Sequence, residues 1–240
     1  MSTKGAAKTP KADNYESMSI KDLRTVLALR GYDSSQCLEK KELVAAARKL
    51  DATNFDEEAH KIFRQLNLPS KTATPYSNLD PIWKHPSSGG TVYVGNYRAA
   101  ADRRTLKERN IVAIVNCQEE SSQNYFENDP SLQYFRFVVS RLSLQVTRGR
   151  TASPLKAGYQ QVFMFIQHHL EQGHSVLIHC LAGAHRAGAT GTAWLMYQTK
   201  KSVDEALVLA KACRPVISPF GTLLECLHFL EIELKNSRGT

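Results

Sequence analysis

The sequence predicts an α/β protein with a central, mostly parallel five-stranded sheet flanked by helices and preceded by a small all-α module. Three observations predict it. Short apolar runs alternate with helical stretches over residues 81–236, the pattern of a sheet whose strands are linked by crossover helices. Residues 15–67 carry apolar side chains at helical spacing. Between them, residues 68–80 (LPSKTATPYSNLD) hold two prolines and little apolar surface, as an interdomain linker does.

Residues 1–14, rich in Lys, Ala and Thr, read as a disordered tail. Ser19-Ile20-Lys21-Asp22 has the form of a capping box ahead of Ile20, Leu23, Val26 and Leu27, and Gly31 ends that first helix. A second helix presents Leu43, Val44, Ala47 and Leu50, and a third runs from Phe55 to Leu66. The expected strands are Ile82–Trp83, Thr91–Val94, Ile111–Asn116, Leu132–Val139 and Ser175–Ile178. Helices are expected over Tyr97–Arg109, Leu155–Gln172, Ala187–Thr199, Val203–Cys213 and Gly221–Leu234.

The chain has 240 residues, 42% of them hydrophobic, enough for one good core beside a smaller module. A formal net charge of +8 favours an anionic partner without saying which. The five cysteines, Cys37, Cys117, Cys180, Cys213 and Cys226, form no CxxC pair and no disulfide framework, so thiols in a reducing compartment are expected. There is no secretory signal and no apolar run near the ~20 residues of a membrane span. A cytoplasmic or nuclear location is the resulting expectation. No metal-ligand spacing occurs, Ser87-Ser88-Gly89-Gly90 reads as a plain turn, and no cofactor is expected.

The chemistry concentrates in His179-Cys180-Leu181-Ala182-Gly183-Ala184-His185-Arg186. The buried-strand run Ser175–Ile178 leads into this loop and an apolar helix leaves it, so an anion held there meets free backbone N–H groups and the positive end of a helix. Gly183 lets the backbone curl until successive amides converge. The same field favours a thiolate, which makes Cys180 a nucleophile. Arg186 can grip two oxygens of a phosphate in bidentate fashion, as lysine cannot.

His-Cys-x5-Arg between a strand and a helix resembles the signature of the protein tyrosine and dual-specificity phosphatase superfamily. Tyr93-Val94-Gly95-Asn96-Tyr97, the strand ending in Asn116, and Arg214-Pro215-x-Ile217-Ser218-Pro219-x-Gly221 look like the compact dual-specificity branch. The resemblance implies that Cys180 is the nucleophile and Arg186 the phosphate ligand. It also implies that Leu181, Ala182, Gly183, Ala184 and His185 cradle the phosphate, and that His179 orders the loop and favours the thiolate. His185 either shapes the pocket or touches substrate. Residues 17–50 resemble, more loosely, SAP-like helical modules, through Ile20-x-x-Leu23-x-x-x-Leu27-x-x-x-Gly31 and Glu39-Lys40-Lys41-Glu42-Leu43-Val44. Gln36-Cys37-Leu38 stands where the nucleic-acid-binding form has a glycine, which leaves protein interaction, plain packing and nucleic-acid binding all open.

Two departures limit the resemblance. The family draws an aspartate general acid from the loop after the strand expected at Leu132–Val139, yet no Asp or Glu occurs from Pro130 to Leu170, and the aligned position falls near Ser140-Arg141-Leu142. Asp129 precedes that strand and would lie roughly 25 Å off, at the wrong end. Glu119 and Glu120 are on the correct edge, as substitute acids, as solvated loop charges, or as a brace for Arg186. The hydroxyl residue that usually follows the arginine is Ala187, and Thr190 is a turn too far on, so a cysteinyl-phosphate intermediate should accumulate.

Arg141, Arg148 and Arg150, with Lys156 nearby, form either a solvated basic loop or a rim for a polyanion such as an inositol phosphate, an RNA end or an acidic phosphopeptide. Cys117 is either a buried thiol or a redox partner for Cys180. His168 and His169 read as surface or boundary residues. The leading expectation is a cysteine-dependent phosphatase acting on an aryl phosphate, with a phosphorylated protein as substrate. A phosphate-binding pseudophosphatase and an RNA 5′-phosphatase or triphosphatase are the alternatives.

Overall fold

The computed structural model describes residues 14–65, 76–149 and 153–237. After a single 3-10 turn at Tyr15–Ser17, helix α1 spans Ile20–Leu29. Its N-terminus is capped by Ser19, whose hydroxyl accepts from the Asp22 amide at 3.1 Å. Gly31, at φ +72°, turns the chain out of the helix. Helix α2 covers Lys40–Asp51 behind a capping box formed by Glu39 and Glu42, and helix α3 covers Phe55–Gln65, the expected last residue, Leu66, lying outside the described residues. Tyr15, Leu23, Leu27, Cys37, Leu43, Val44 and Ala47 form the core of this small module.

The chain then builds a five-stranded sheet from β1 (Leu79–Lys84), β2 (Thr91–Gly95), β3 (Ile111–Asn116), β4 (Gln133–Arg136) and β5 (Ser175–His179). Strand order is β1-β2-β5-β3-β4. Only β1 runs antiparallel to its neighbour, so the sheet is mostly parallel as expected. Strand β5 is buried along its whole length at the centre, as an unbroken apolar run should be. Alternation divides the faces: Val92, Val94, Ala113, Val115, Val176 and Ile178 join the main core, while Ile114 and Leu177 meet Ala99, Ala100 and Leu106 on the other side.

Three expectations are corrected. Tyr97–Arg109 is two helices, α4 (Tyr97–Ala100) and α5 (Arg103–Glu108), because Asp102 accepts the amides of Arg104 and Thr105 and starts the chain afresh. The strand expected at Leu132–Val139 is paired only over β4, and Val139 opens helix α6 (Val139–Gly149), where a loop was expected. The segment expected to be a linker divides: 66–75 lie outside the described residues, whereas Leu79 and Asp80 already pair with Gly95 and Val94 in the sheet. The expected tail lies outside the described residues except for Asn14. Helices α7 (Ser153–Glu171), α8 (Arg186–Thr199), α9 (Val203–Cys213) and α10 (Thr222–Asn236) complete the fold.

The helical module is seated on α10. Arg30, 1% exposed, donates to Glu225 at 2.7 Å, pairs with Asp51 at 3.1 Å and donates to the Tyr15 hydroxyl at 2.7 Å. Its carbonyl accepts from the Gly221 amide at 2.8 Å. Phe55, the first residue of α3, is part of the main core, with its ring 5.6 Å from that of Phe220. Among the described residues no helix is long and apolar enough to cross a membrane.

Candidate active site

Strand β5 ends at His179, in register with Gly95 on β2 and Asn116 on β3, and the loop Cys180–His185 leaves the carboxyl edge of the sheet at its centre. Helix α8 begins at Arg186. The backbone between them is held from outside. The Leu181 carbonyl accepts from the Tyr97 amide at 3.2 Å, and the Ala184 carbonyl from the Ser218 amide at 3.1 Å. Arg214, fully buried, donates to the carbonyls of Gly183 at 2.9 Å and Ala182 at 3.3 Å, and the Tyr76 hydroxyl also donates to Ala182 at 3.3 Å. Four successive carbonyls are thus turned outward. In a trans peptide the N–H points opposite to its carbonyl, so the amides of Ala182 to His185 are turned inward.

Gly183 is required at φ +67°, and a Cβ there would also lie 2.5 Å from the Gly95 backbone. Its amide donates to Cys180 Sγ at 3.3 Å. Cys180 itself is 2% exposed, at the base of the loop. Arg186 is equally buried, and its Nε has no hydrogen-bond partner among the described residues. Burial works against its charge, but Cys180 and Asp56 more than offset that and hold the guanidinium above its usual value. A buried arginine with a free donor beside a ring of inward amides is equipped to hold a tetrahedral anion.

The two histidines differ. Burial, reinforced by the charges of Arg136 and Arg186, pushes His179 down to about 3. It is neutral at neutral pH, so any help it gives a thiolate comes from packing rather than charge. His185 donates from Nδ1 to the Ser218 carbonyl at 2.7 Å and packs against Phe220 and Phe55, so its ring braces the loop.

Glu119 accepts the Ser140 hydroxyl at 2.5 Å, which brings a carboxylate beside Ser140, where the family resemblance expects an acid. Both line a cavity of about 240 Å³ with Asp51, Thr53, Phe55 and Thr222, where module and sheet domain meet. Glu120 instead forms a two-pronged pair with Arg141 at 2.6 Å on each arm. Arg148 pairs with Asp51 at 3.4 Å. Of the three arginines expected to form a rim, Arg141 and Arg148 are therefore spread along α6, each facing a carboxylate; Arg150 and the Lys156 side chain lie outside the described residues. Asp129 sits just ahead of β4 in an ion pair with Arg103, away from the loop.

Cys117 is fully buried and donates to the Thr190 hydroxyl at 3.4 Å, and burial pushes its thiol up to about 12. Thr190 in turn donates to the Arg186 carbonyl at 3.0 Å, so its hydroxyl is engaged away from the loop's interior. His169 is buried rather than at the surface, against Phe165.

Sequence reasoning passed over three residues at this site. Tyr76 fell in the expected linker, Arg214 was noted only as part of a resemblance, and Asp56 forms an ion pair with Arg186 from the first turn of α3. No local signal marks Asp56, since acids are common in any first helical turn.

Residues 92–231 match the family described as "Dual specificity phosphatase, catalytic domain". Dual specificity protein phosphatase 9 of Homo sapiens is 26% identical over 196 residues, covering 78% of this chain and 48% of that protein. Dual specificity protein phosphatase 22-B of Danio rerio is 29% identical over 128 residues, covering 53% of this chain and 63% of that protein. The chain thus spans less than two thirds of the length of either relative. The crystal structure of human DUSP28 superposes with a TM-score of 0.51 at 19% identity, over 66% of this chain and 96% of that one, a likeness of fold.

Proposed function

The chain belongs to the dual specificity phosphatase family, and on that premise we propose that it hydrolyses an aryl phosphomonoester, with a phosphotyrosine-bearing protein as its substrate class. Cys180 Sγ attacks phosphorus, the bond from phosphorus to the leaving oxygen breaks, and the cysteinyl phosphate is hydrolysed by water. The observation that carries this reading is the set of four outward carbonyls from Leu181 to Ala184, which leaves the amides and the free Nε of Arg186 for the phosphoryl oxygens. Phosphate release from an aryl phosphate should be readily measured for the wild type and vanish in Cys180→Ser. Turnover that survives in Cys180→Ser sinks the mechanism.

The preference for aryl esters follows from the proton supply. Helix α6 carries no carboxylate, and Glu119, held by Ser140, is the acid we assign to the leaving oxygen. A donor borrowed from a neighbouring loop serves a phenolate, with a pKa near ~10, better than the more basic alkoxide of phosphoserine. The helical module, seated on α10, serves protein interaction in this reading, in the cytoplasm or nucleus. A second reading, a phosphate-binding pseudophosphatase, is favoured by one observation: Ala187 leaves the intermediate without the adjacent hydroxyl that speeds its breakdown in the family. Phosphate binding with no turnover in the wild type would establish it.

A further inference from the structure

We propose that Asp56 is an intramolecular competitor for the phosphate site, a carboxylate that the helical module keeps on Arg186 until a phosphate displaces it. This regulation rests on Arg186 being the phosphate ligand of the site described above.

The local structure aims Asp56 at the loop. Asn54 accepts the amides of Asp56 and Glu57 at 3.0 and 3.3 Å and so starts α3 at a defined residue. Phe55, 7% exposed, is anchored between Phe220 and His185. Further along α3, Ala59 packs against Ala182 and Ala184. The helix thus lies along the outer wall of the phosphate loop, and its first turn delivers a carboxylate to the guanidinium.

The pair is asymmetric in a way that suits a gate. The Arg186 side chain is 3% exposed and has nowhere to go, whereas Asp56 is 42% exposed and can swing into water without α3 moving. Asp56 engages only Nη2, and Nε stays without a partner among the described residues. A phosphate carries more charge and more oxygens, so it can take Nη2, Nε and the inward amides together, and the carboxylate yields to it. Asp56 has no phosphorus to offer Cys180, so while it sits on Arg186 the site is filled and unproductive. Because the competitor is tethered, its effective concentration is roughly millimolar, and even a weak pair holds back dilute phosphate.

The test is the affinity of the full-length wild type, Asp56→Asn and Glu57→Gln for inorganic phosphate, by titration calorimetry, together with KM for an aryl phosphate. Asp56→Asn should tighten the phosphate Kd and lower KM by about fivefold, the upper end of what a half-exposed ion pair gives up. Glu57→Gln removes the same charge one residue away without touching Arg186 and should change neither. An unchanged or weaker Kd in Asp56→Asn overturns the proposal, and so does an equal effect from Glu57→Gln. A fall in kcat that steepens with leaving-group basicity also overturns it, because Asp56 would then be a proton donor. Binding is read without turnover, so an inactive wild type would sink the proposed reaction while leaving this test intact.

Discussion

Arg30, just past the end of α1, and Glu225 on α10 form an ion pair sealed from solvent: Nε and Oε2 are 2.7 Å apart, and neither side chain exceeds 1% exposure. Removing one partner strands the other charge in the core. Arg30→Ala should therefore destabilise the protein by about 3–5 kcal/mol, read as a shift in the urea midpoint at constant m-value. Replacing both, with Arg30→Met and Glu225→Leu, should recover part of that loss. A single variant that loses less than about 1 kcal/mol would mean that water reaches the pair.

The proton donor is open to a direct test through Glu119 and its 2.5 Å contact with Ser140. Glu119→Gln should lower kcat/KM by about 100-fold for aryl phosphates with basic leaving groups and hardly at all for nitrophenolates. The measurement is a plot of log kcat/KM against leaving-group pKa, which should steepen in the variant. Parallel plots would exclude Glu119.

If the proposed reaction holds, Ala187, fully buried at the start of α8, should leave the step after phosphoryl transfer slow. In rapid mixing the wild type should release aryl alcohol in a burst near one equivalent, followed by slow turnover. Ala187→Ser should shrink the burst and raise the steady rate. A wild type that turns over with no burst contradicts the assignment.

Acid should weaken the fold well before the carboxylates titrate. His179 is pushed from the usual value of 6.5 to about 3, so below about pH 6.5 the unfolded chain binds a proton that the folded one refuses. Stability is complete above that pH and falls as pH drops toward about 3, by at most about 1.4 kcal/mol per pH unit. His185 shifts in the same direction, chiefly through burial. Urea midpoints between pH 7.5 and 5 should fall less steeply for His179→Gln than for the wild type, and equal slopes would show that His179 titrates normally in the fold.

Much of the site was legible because its signals are local. A fully apolar run feeding a Cys-x5-Arg loop needs no distant information, and β5, its neighbours and α8 lie where that run puts them. Helix α6 was less legible: Phe135, Phe137 and Val139 alternate as a strand would, while Val139, Leu142 and Val146 already carry helical spacing. Arg136, the last residue of β4, donates to the carbonyls of Glu119 at 3.1 Å and Ser122 at 2.6 Å and so ties the end of the strand to the loop after β3. The contacts of Asp56 with Arg186, Tyr76 with Ala182 and Arg30 with Glu225 join residues more than 100 positions apart. Each of these residues has an ordinary local reading, as a first-turn acid, a linker aromatic or a helix-end cation, so only the folded chain reveals the pairing.

Arg214 carries one more consequence. Besides turning two loop carbonyls outward, it donates to the Ser77 carbonyl at 2.8 Å, pairs with Asp80 and lies 5.1 Å from the centre of the Tyr76 ring. A catalytic fragment trimmed to begin at residue 81 would lose all three of these partners. The cradle would then rest on an arginine whose own support had been cut away. Recombination that exchanges the sheet domain from residue 81 onward meets the same obstacle, so the cradle keeps its support only where Tyr76, Ser77 and Asp80 stay with it.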